Sequence, residues 1–338
     1  MARLNRTNKI NFVKSWICIV FALVFSACFM LGCAEDEPRP TPPPVKYVAE
    51  IDEKIERINA ISQDNNIADS FFYIADLHWE FNDKKSPWIV KYIQSKTDVD
   101  TIVFGGDFIS YFYNDKEDAL AAMEKCVDAF EAKEYYAIMG NHETNLSGGD
   151  NDETPPISAE ESNLVLNKGR FEKSYFGVED KAEKIYKVFL NTNVFEKDGE
   201  QYNWLKDTLV SLDSDMTVFI FMHIYNDYKA AGVQLTTAKQ GKLLNELLSD
   251  ISDDMSCSIG GIFSAHTHRD FMDQNELGYT VLSTACDGRG RYAPCDDLYE
   301  RNKGEFSEQA FDVVQVDTSK RKVFLTRIGA GYDREYTY

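Results

Sequence analysis

Every one of the chain's five histidines stands where an apolar run gives out. Phe71-Phe-Tyr-Ile-Ala75 passes into Asp76-Leu-His78, and Glu134-Tyr-Tyr-Ala-Ile-Met139 into Gly140-Asn141-His142. Thr217-Val-Phe-Ile-Phe-Met222 ends in His223, and Ser258-Ile-Gly-Gly-Ile-Phe-Ser-Ala265 leads into His266-Thr-His268. Short runs rich in β-branched and aromatic residues read as buried strands. The chain must therefore bring its polar chemistry to the carboxyl ends of strands, where open α/β sheets place their ligands. A lone histidine is more often a hydrogen-bonded core or surface residue. Five at strand ends, beside Asp76, Asp107 and Asn141, do not fit that explanation.

Thr101-Ile-Val-Phe-Gly-Gly-Asp107 is the central member of the series. Its apolar residues form a short strand, and Gly105-Gly106 let the backbone turn tightly and present Asp107. Taken alone, Asp107 would be an ordinary turn residue bonding its own backbone. Tyr47 to Ile61 carries a helical stripe, Pro87 can open a helix running to about Lys96, and Asp115 to Ala132 reads as another. Strands alternating with these helices predict βαβ units and a parallel sheet.

From Leu146 to Asn163 the chain is polar and reads as a long loop. Phe171–Gly177 and Ile185–Leu190 read as paired strands, Gln201–Leu212 as an amphipathic helix, and Leu235–Ile251 as another helix. Strands at Tyr279–Leu282, Phe311–Val316 and Val323–Ile328 close the chain. This strand-rich second half is expected to form a second sheet packed on the first.

With 338 residues, 43% of them hydrophobic, the chain can bury one large core or two modest ones. Its net charge of −20 disfavours polymeric nucleic acid as a partner unless a local basic groove or bound metal overrides it. The first residues hold Arg3, Arg6, Lys9 and Lys14 and no acid, and an uncharged apolar run follows from Ser15 to Gly32. Met30-Leu31-Gly32-Cys33 resembles the lipobox of bacterial lipoproteins, in which the cysteine is acylated and becomes the new N-terminus. Cys28 is a rival site, and a retained membrane anchor or simple secretion are the other readings. The acidic and proline-rich stretch 33–46 reads as a semi-rigid tether to a domain over 47–338. The expected location is the cell envelope, with the protein anchored through Cys33 and facing periplasm or cell surface. No Cys-x-x-Cys spacing occurs, so a thiolate metal site is not expected; Cys286 and Cys295 are either bridged or free.

The imidazole, carboxylate and amide donors suit Mn, Fe, Zn or Ni. Asp76-x-His78, Gly106-Asp107, Gly140-Asn141-His142-Glu143, His223 and His266-x-His268 follow in order the motifs of the calcineurin-like metallophosphoesterases, which this chain resembles from Phe71 to His268. Gly329-Ala-Gly-Tyr-Asp-Arg334 also resembles the tail of secreted bacterial members.

The resemblance implies an α/β fold, a two-sheet β-sandwich flanked by helices, forming a single catalytic domain. It implies two divalent metal ions: Asp76, His78, Asp107 and His268 around one, and Asp107, Asn141, His223 and His266 around the other, with Asp107 bridging. His142 would be a non-ligand acid or charge stabiliser, with Glu143 the nearest candidate to orient it. The implied activity is hydrolysis of a phosphomonoester or phosphodiester by a bridging hydroxide, on a small phosphorylated substrate.

Two positions depart from the family pattern. Ser110 replaces an acid or amide that would support Asp107, and Ala265 replaces a glycine before the last histidine pair. Arg269, Arg289 and Arg291 fall on loops near the same edge, where solvated arginines are commoner than substrate contacts. A metallopeptidase or deacetylase would be expected to carry His-Glu-x-x-His or a similar helix motif, which is absent. A non-catalytic scaffold of the same fold is the remaining alternative.

Overall fold

The computed structural model describes residues 44–110, 112–146, 154–228, 235–288 and 299–338. The segments expected to be a leader and most of a tether, with Cys28 and Cys33, lie outside them, as do Arg289, Arg291 and Cys295. The described elements begin with α1 (Val48–Asp64), β1 (Asp69–Ile74), α2 (Ser86–Gln94), β2 (Thr101–Phe104), α3 (Lys116–Asp128) and β3 (Glu134–Ala137). Then come α4 (Ala159–Leu166), β4 (Phe176–Asp180), β5 (Ile185–Leu190), α5 (Glu200–Ser211), β6 (Thr217–Met222), β7 (Asn226–Tyr228) and β8 (Leu235–Thr237). The chain finishes with α6 (Lys239–Asp250), β9 (Ser258–Ser264), β10 (Phe271–Gln274), β11 (Thr280–Ser283), β12 (Ala310–Asp317), β13 (Lys322–Gly329) and β14 (Arg334–Thr337).

Two six-stranded sheets form the centre, in the orders β14-β13-β12-β1-β2-β3 and β10-β11-β9-β6-β5-β4. β1, β2 and β3 run parallel, as do β5, β6, β9 and β11, so the strands bearing the site end on one rim. The sheets meet through aromatic side chains. Phe71 packs edge-on against Phe221 at 5.6 Å and Phe263 at 5.8 Å between ring centroids. α1, α2 and α3 cover the outer face of the first sheet with Ile51, Ile55, Ile89, Ile93 and Met123. α5 and α6 cover the second with Leu205, Leu209, Leu244 and Leu248. The result is the helix–sheet–sheet–helix sandwich expected from the sequence.

Several local expectations need correction. The strands at the end of the chain do not extend the second sheet. β12 returns to pair antiparallel with β1 over Asp69–Tyr73, and β13 and β14 follow it outward. Every residue of β12 is buried, so it can serve as an interior strand. The polar stretch 146–163 is not all loop, because Ser158 and Glu161 form a reciprocal capping box that starts α4. Leu235–Thr237 is strand rather than helix. It pairs with β7, and the helix begins only after Ala238 donates its N–H to the Tyr225 carbonyl. The partner of β5 starts at Phe176, since the Phe171 carbonyl is held by the Asn163 amide outside the sheet.

Candidate metal centre

The rim gathers the predicted residues. Ligand-type atoms of Asp76, His78, Asp107 and His268 lie within 4.8 Å of one another, and so do those of Asp107, His223 and His266. Asp107 belongs to both groups. Its Oδ2 is 3.3 Å from His223 Nε2, and Asp76 Oδ1 is 3.5 Å from His268 Nε2. His78 Nε2 and His268 Nε2 face each other at 3.1 Å.

The backbone is held in an uncommon conformation to achieve this. Asp76, His78, Asp107, His266 and His268 all have positive φ, between 41° and 69°. Such left-handed non-glycine residues are costly singly, and a cluster of five marks a site the surrounding fold forces into shape. Ala265, in the place of the expected glycine, is not among them; His266 and His268 make the turn instead. Glycine is required nearby for another reason. A Cβ at Gly140 would lie 2.1 Å from Asp107 Oδ1, and one at Gly106 would lie 2.7 Å from His223 Nδ1.

Several buried ligand-type atoms make no hydrogen bond within the protein: both carboxylate oxygens of Asp76, Asn141 Oδ1 and His223 Nε2. Burying such groups without a hydrogen bond is expensive, so their convergence fits bound cations better than a merely structural cluster. The orientation of the ring supports the same fit. His223 Nδ1–H donates to the Gly105 carbonyl at 2.7 Å, which leaves Nε2 facing Asp107.

Electrostatics divide the groups. Burial pushes the Asp76 carboxyl well above its usual range, against the opposing pull of His223. Burial acts on Asp107 in the same direction, but His223 and His142 together hold it well below its ordinary value. Burial lowers His78 to about 3 and His266 to about 4, keeping both imidazoles neutral, the form that binds metal.

Glu143 is not the partner of His142. Its Oε2 accepts the backbone N–H groups of Asp107 and Gly140 at 2.9 and 2.7 Å, and its Oε1 that of Phe108 at 2.8 Å. The support that Ser110 cannot give to the Asp107 loop comes from there. His142 lies face to face with Phe112, centroids 5.0 Å apart, with Nε2 3.9 Å from Asp107 Oδ2. Its backbone N–H donates to Asp107 Oδ1 at 3.1 Å.

Two further groups were not evident from the sequence. The Cys286 thiol is buried, free, and within 4.8 Å of ring nitrogens of His78 and His268, with Sγ 3.0 Å from the Asp76 carbonyl oxygen. Asp270, two residues beyond His268, pairs with Arg327 at 2.6 Å and also with Arg334. Both arginines in turn reach Asp312 on β12, at 3.0 and 2.7 Å. The loop carrying two histidines is thereby tied to the first sheet. Arg269 is half-buried beside it.

The sequence model for calcineurin-like phosphoesterases matches residues 70–270, a span that contains all eight predicted site residues. No curated protein matches the chain. Among solved structures, a dimetal phosphatase from Danio rerio superposes with a TM-score of 0.56 at 14% identity, covering 81% of this chain and 100% of the other. An NAD nucleotidase from Haemophilus influenzae gives 0.40 at 13% identity, covering 79% and 49%. Vacuolar protein sorting 29 from Cryptosporidium parvum gives 0.38 at 11% identity, covering 81% and 100%. At these identities the first likeness speaks to the fold, and the other two carry no argument.

Proposed function

This chain belongs to the calcineurin-like phosphoesterase family, and we propose that Asp76, His78, Asp107 and His268 hold one divalent cation while Asp107, Asn141, His223 and His266 hold a second. The chain is a metal-dependent phosphoester hydrolase. The observation that carries the ligand assignment is the convergence of buried oxygens and nitrogen without hydrogen bonds on Asp76, Asn141 and His223. When bound, two cations (Mn, Fe, Zn or Ni suit these donors) acidify the attacking water to hydroxide and neutralise the phosphoryl oxygens.

The chain's own residues supply position and a proton. Asp107 belongs to both groups of ligands and would be shared by the two cations, and its loop is fixed by the Glu143 carboxylate through three consecutive amides. Asn141 contributes a neutral oxygen, so the second position carries less negative charge than the first. His142, held flat against Phe112 beside Asp107, donates a proton to the leaving alcohol or steadies the phosphoryl charge. The acidic surface does not prevent anion binding, because the local charge of the cations prevails. We further propose, from the sequence, that Cys33 is acylated and tethers the domain to the cell envelope. Mass spectrometry of the N-terminal peptide checks that point.

The test of activity is release of p-nitrophenol from a mono- and a diester with added Mn, and its loss in Asp107→Asn. A protein that binds two metals but cleaves neither ester would be a scaffold, and the hydrolase reading would fall.

A further inference from the structure

The loop that carries Asp76 and His78 is held from two sides. Its N–H groups turn towards the loop of Asp107: Asp76 donates to the Gly106 carbonyl at 2.9 Å and His78 to that of Asp107 at 3.1 Å. Its carbonyls meet the segment that follows β11. The Asp287 N–H donates to the Ala75 carbonyl at 3.1 Å, and Cys286 Sγ lies 3.0 Å from that of Asp76. The Leu77 carbonyl accepts the Asn82 side-chain amide at 3.0 Å.

Asp287 joins these contacts into one device. Its buried carboxylate accepts the same Asn82 amide at 3.1 Å and, at 2.6 Å, the hydroxyl of Ser86 at the start of α2. Burying a carboxylate is expensive unless its oxygens are satisfied, and here they are spent on groups that brace the ligand loop. The Arg301 guanidinium secures the segment itself, donating to the Cys286 carbonyl at 2.7 Å and the Asp287 carbonyl at 3.2 Å. β11 pairs parallel with β9, Ser283 opposite Ser264, so the segment sets out beside the strand that leads to His266 and His268.

Asp76 and His78 have φ of 50° and 41°, values that persist only where the surroundings over-determine them. Three consecutive carbonyls fixed in this way supply that constraint. Among the described residues, no hydrogen bond of Asp287 reaches Asn141, His223 or His266.

We infer that Asp287 is a positioning residue for the first cation: it fixes the geometry of Asp76 and His78 and leaves the second position untouched. The inference rests on the two-cation reading and adds to it a residue outside the span 70–270 that carries the family likeness.

The experiment titrates the chelated protein with Mn and follows free Mn by electron paramagnetic resonance. In Asp287→Ala one Mn is expected to bind about 10–100-fold more weakly, while the other keeps its affinity. Adding Asn141→Ala, which alters a ligand of the second position only, is expected to weaken the remaining ion as well. Asn82→Ala, which strips the Leu77 carbonyl of its donor, should show the same one-sided loss and decides the matter if Asp287→Ala does not fold. A merely structural aspartate would lower stability and leave the ratio of the two affinities as it was. An unchanged ratio, or weakening of the ion that Asn141→Ala weakens, overturns the inference and leaves the two-cation reading intact. Fewer than two Mn bound by the wild type sinks that reading first, and the role of Asp287 with it.

Discussion

Glu143 and Asp107 are joined through an amide: Glu143 Oε2 accepts the Asp107 backbone N–H at 2.9 Å. The two acids are coupled without their carboxylates competing for one partner. Burial and the nearby Asp107 charge raise Glu143 to about 7, while the Gly140 amide and His223 pull the other way. Glu143→Gln would set an NH2 group against amide donors. We expect a loss of about 2–3 kcal/mol of stability, read by urea denaturation, together with weaker metal retention.

Gly140→Ala tests how tightly the turn is packed. The added methyl would lie 2.1 Å from Asp107 Oδ1 and 2.5 Å from its backbone nitrogen. Neither atom can retreat without moving the shared ligand. The expected outcome is a folded protein, judged by circular dichroism, that retains less than its full metal complement in elemental analysis.

His142→Ala separates chemistry from metal binding. His142 lies outside both ligand groups, although its ring is close to Asp107. Turnover is expected to fall by roughly 10²–10⁴ with two metals still bound. Loss of the metals instead would show that the ring is needed to build the site.

Arg327→Met tests the buried charge lattice. Arg327 is fully buried, and its removal leaves Asp270 and Asp312 to share Arg334. Breaking a buried ion pair from one side costs about 3–5 kcal/mol, to be measured by chemical denaturation. The conservative Arg327→Lys should recover only part of this, because a single ammonium cannot reproduce the guanidinium fork.

Metal addition should stabilise the chelated protein. Asp76 and Asp107 are both buried, and the Asp107 charge raises the cost of charging Asp76 and Glu143. A cation at about 100 times its dissociation constant adds about 2.7 kcal/mol per site, visible as a higher melting temperature in Mn than in chelator.

The strand-end histidines made the rim legible, because a continuous apolar run ending in a ligand-type side chain is a local signal. What supports the rim was not legible. Glu143 acts on amides up to 36 positions away, and its sequence neighbour His142 suggested the wrong partner. The left-handed φ values at five site residues have no counterpart in residue type, since aspartate and histidine only tolerate that region. The destination of β12 and β13 was misread because burial of both faces marks an interior strand without saying which sheet it enters. β14 itself alternates between intermediate and exposed residues and gave no apolar run to find.

The pairing of β1 with β12 makes assembly wait on the tail. Until residues 310–317 arrive, β1 has a bare edge, and the loop bearing Asp76 and His78 hangs from a half-built sheet. A nascent chain halted before that point would expose a strand ready to stick to other chains and would hold the rim only loosely. Loading of cations should therefore be among the last events of folding, following the emergence of residues 310–317 rather than that of His268.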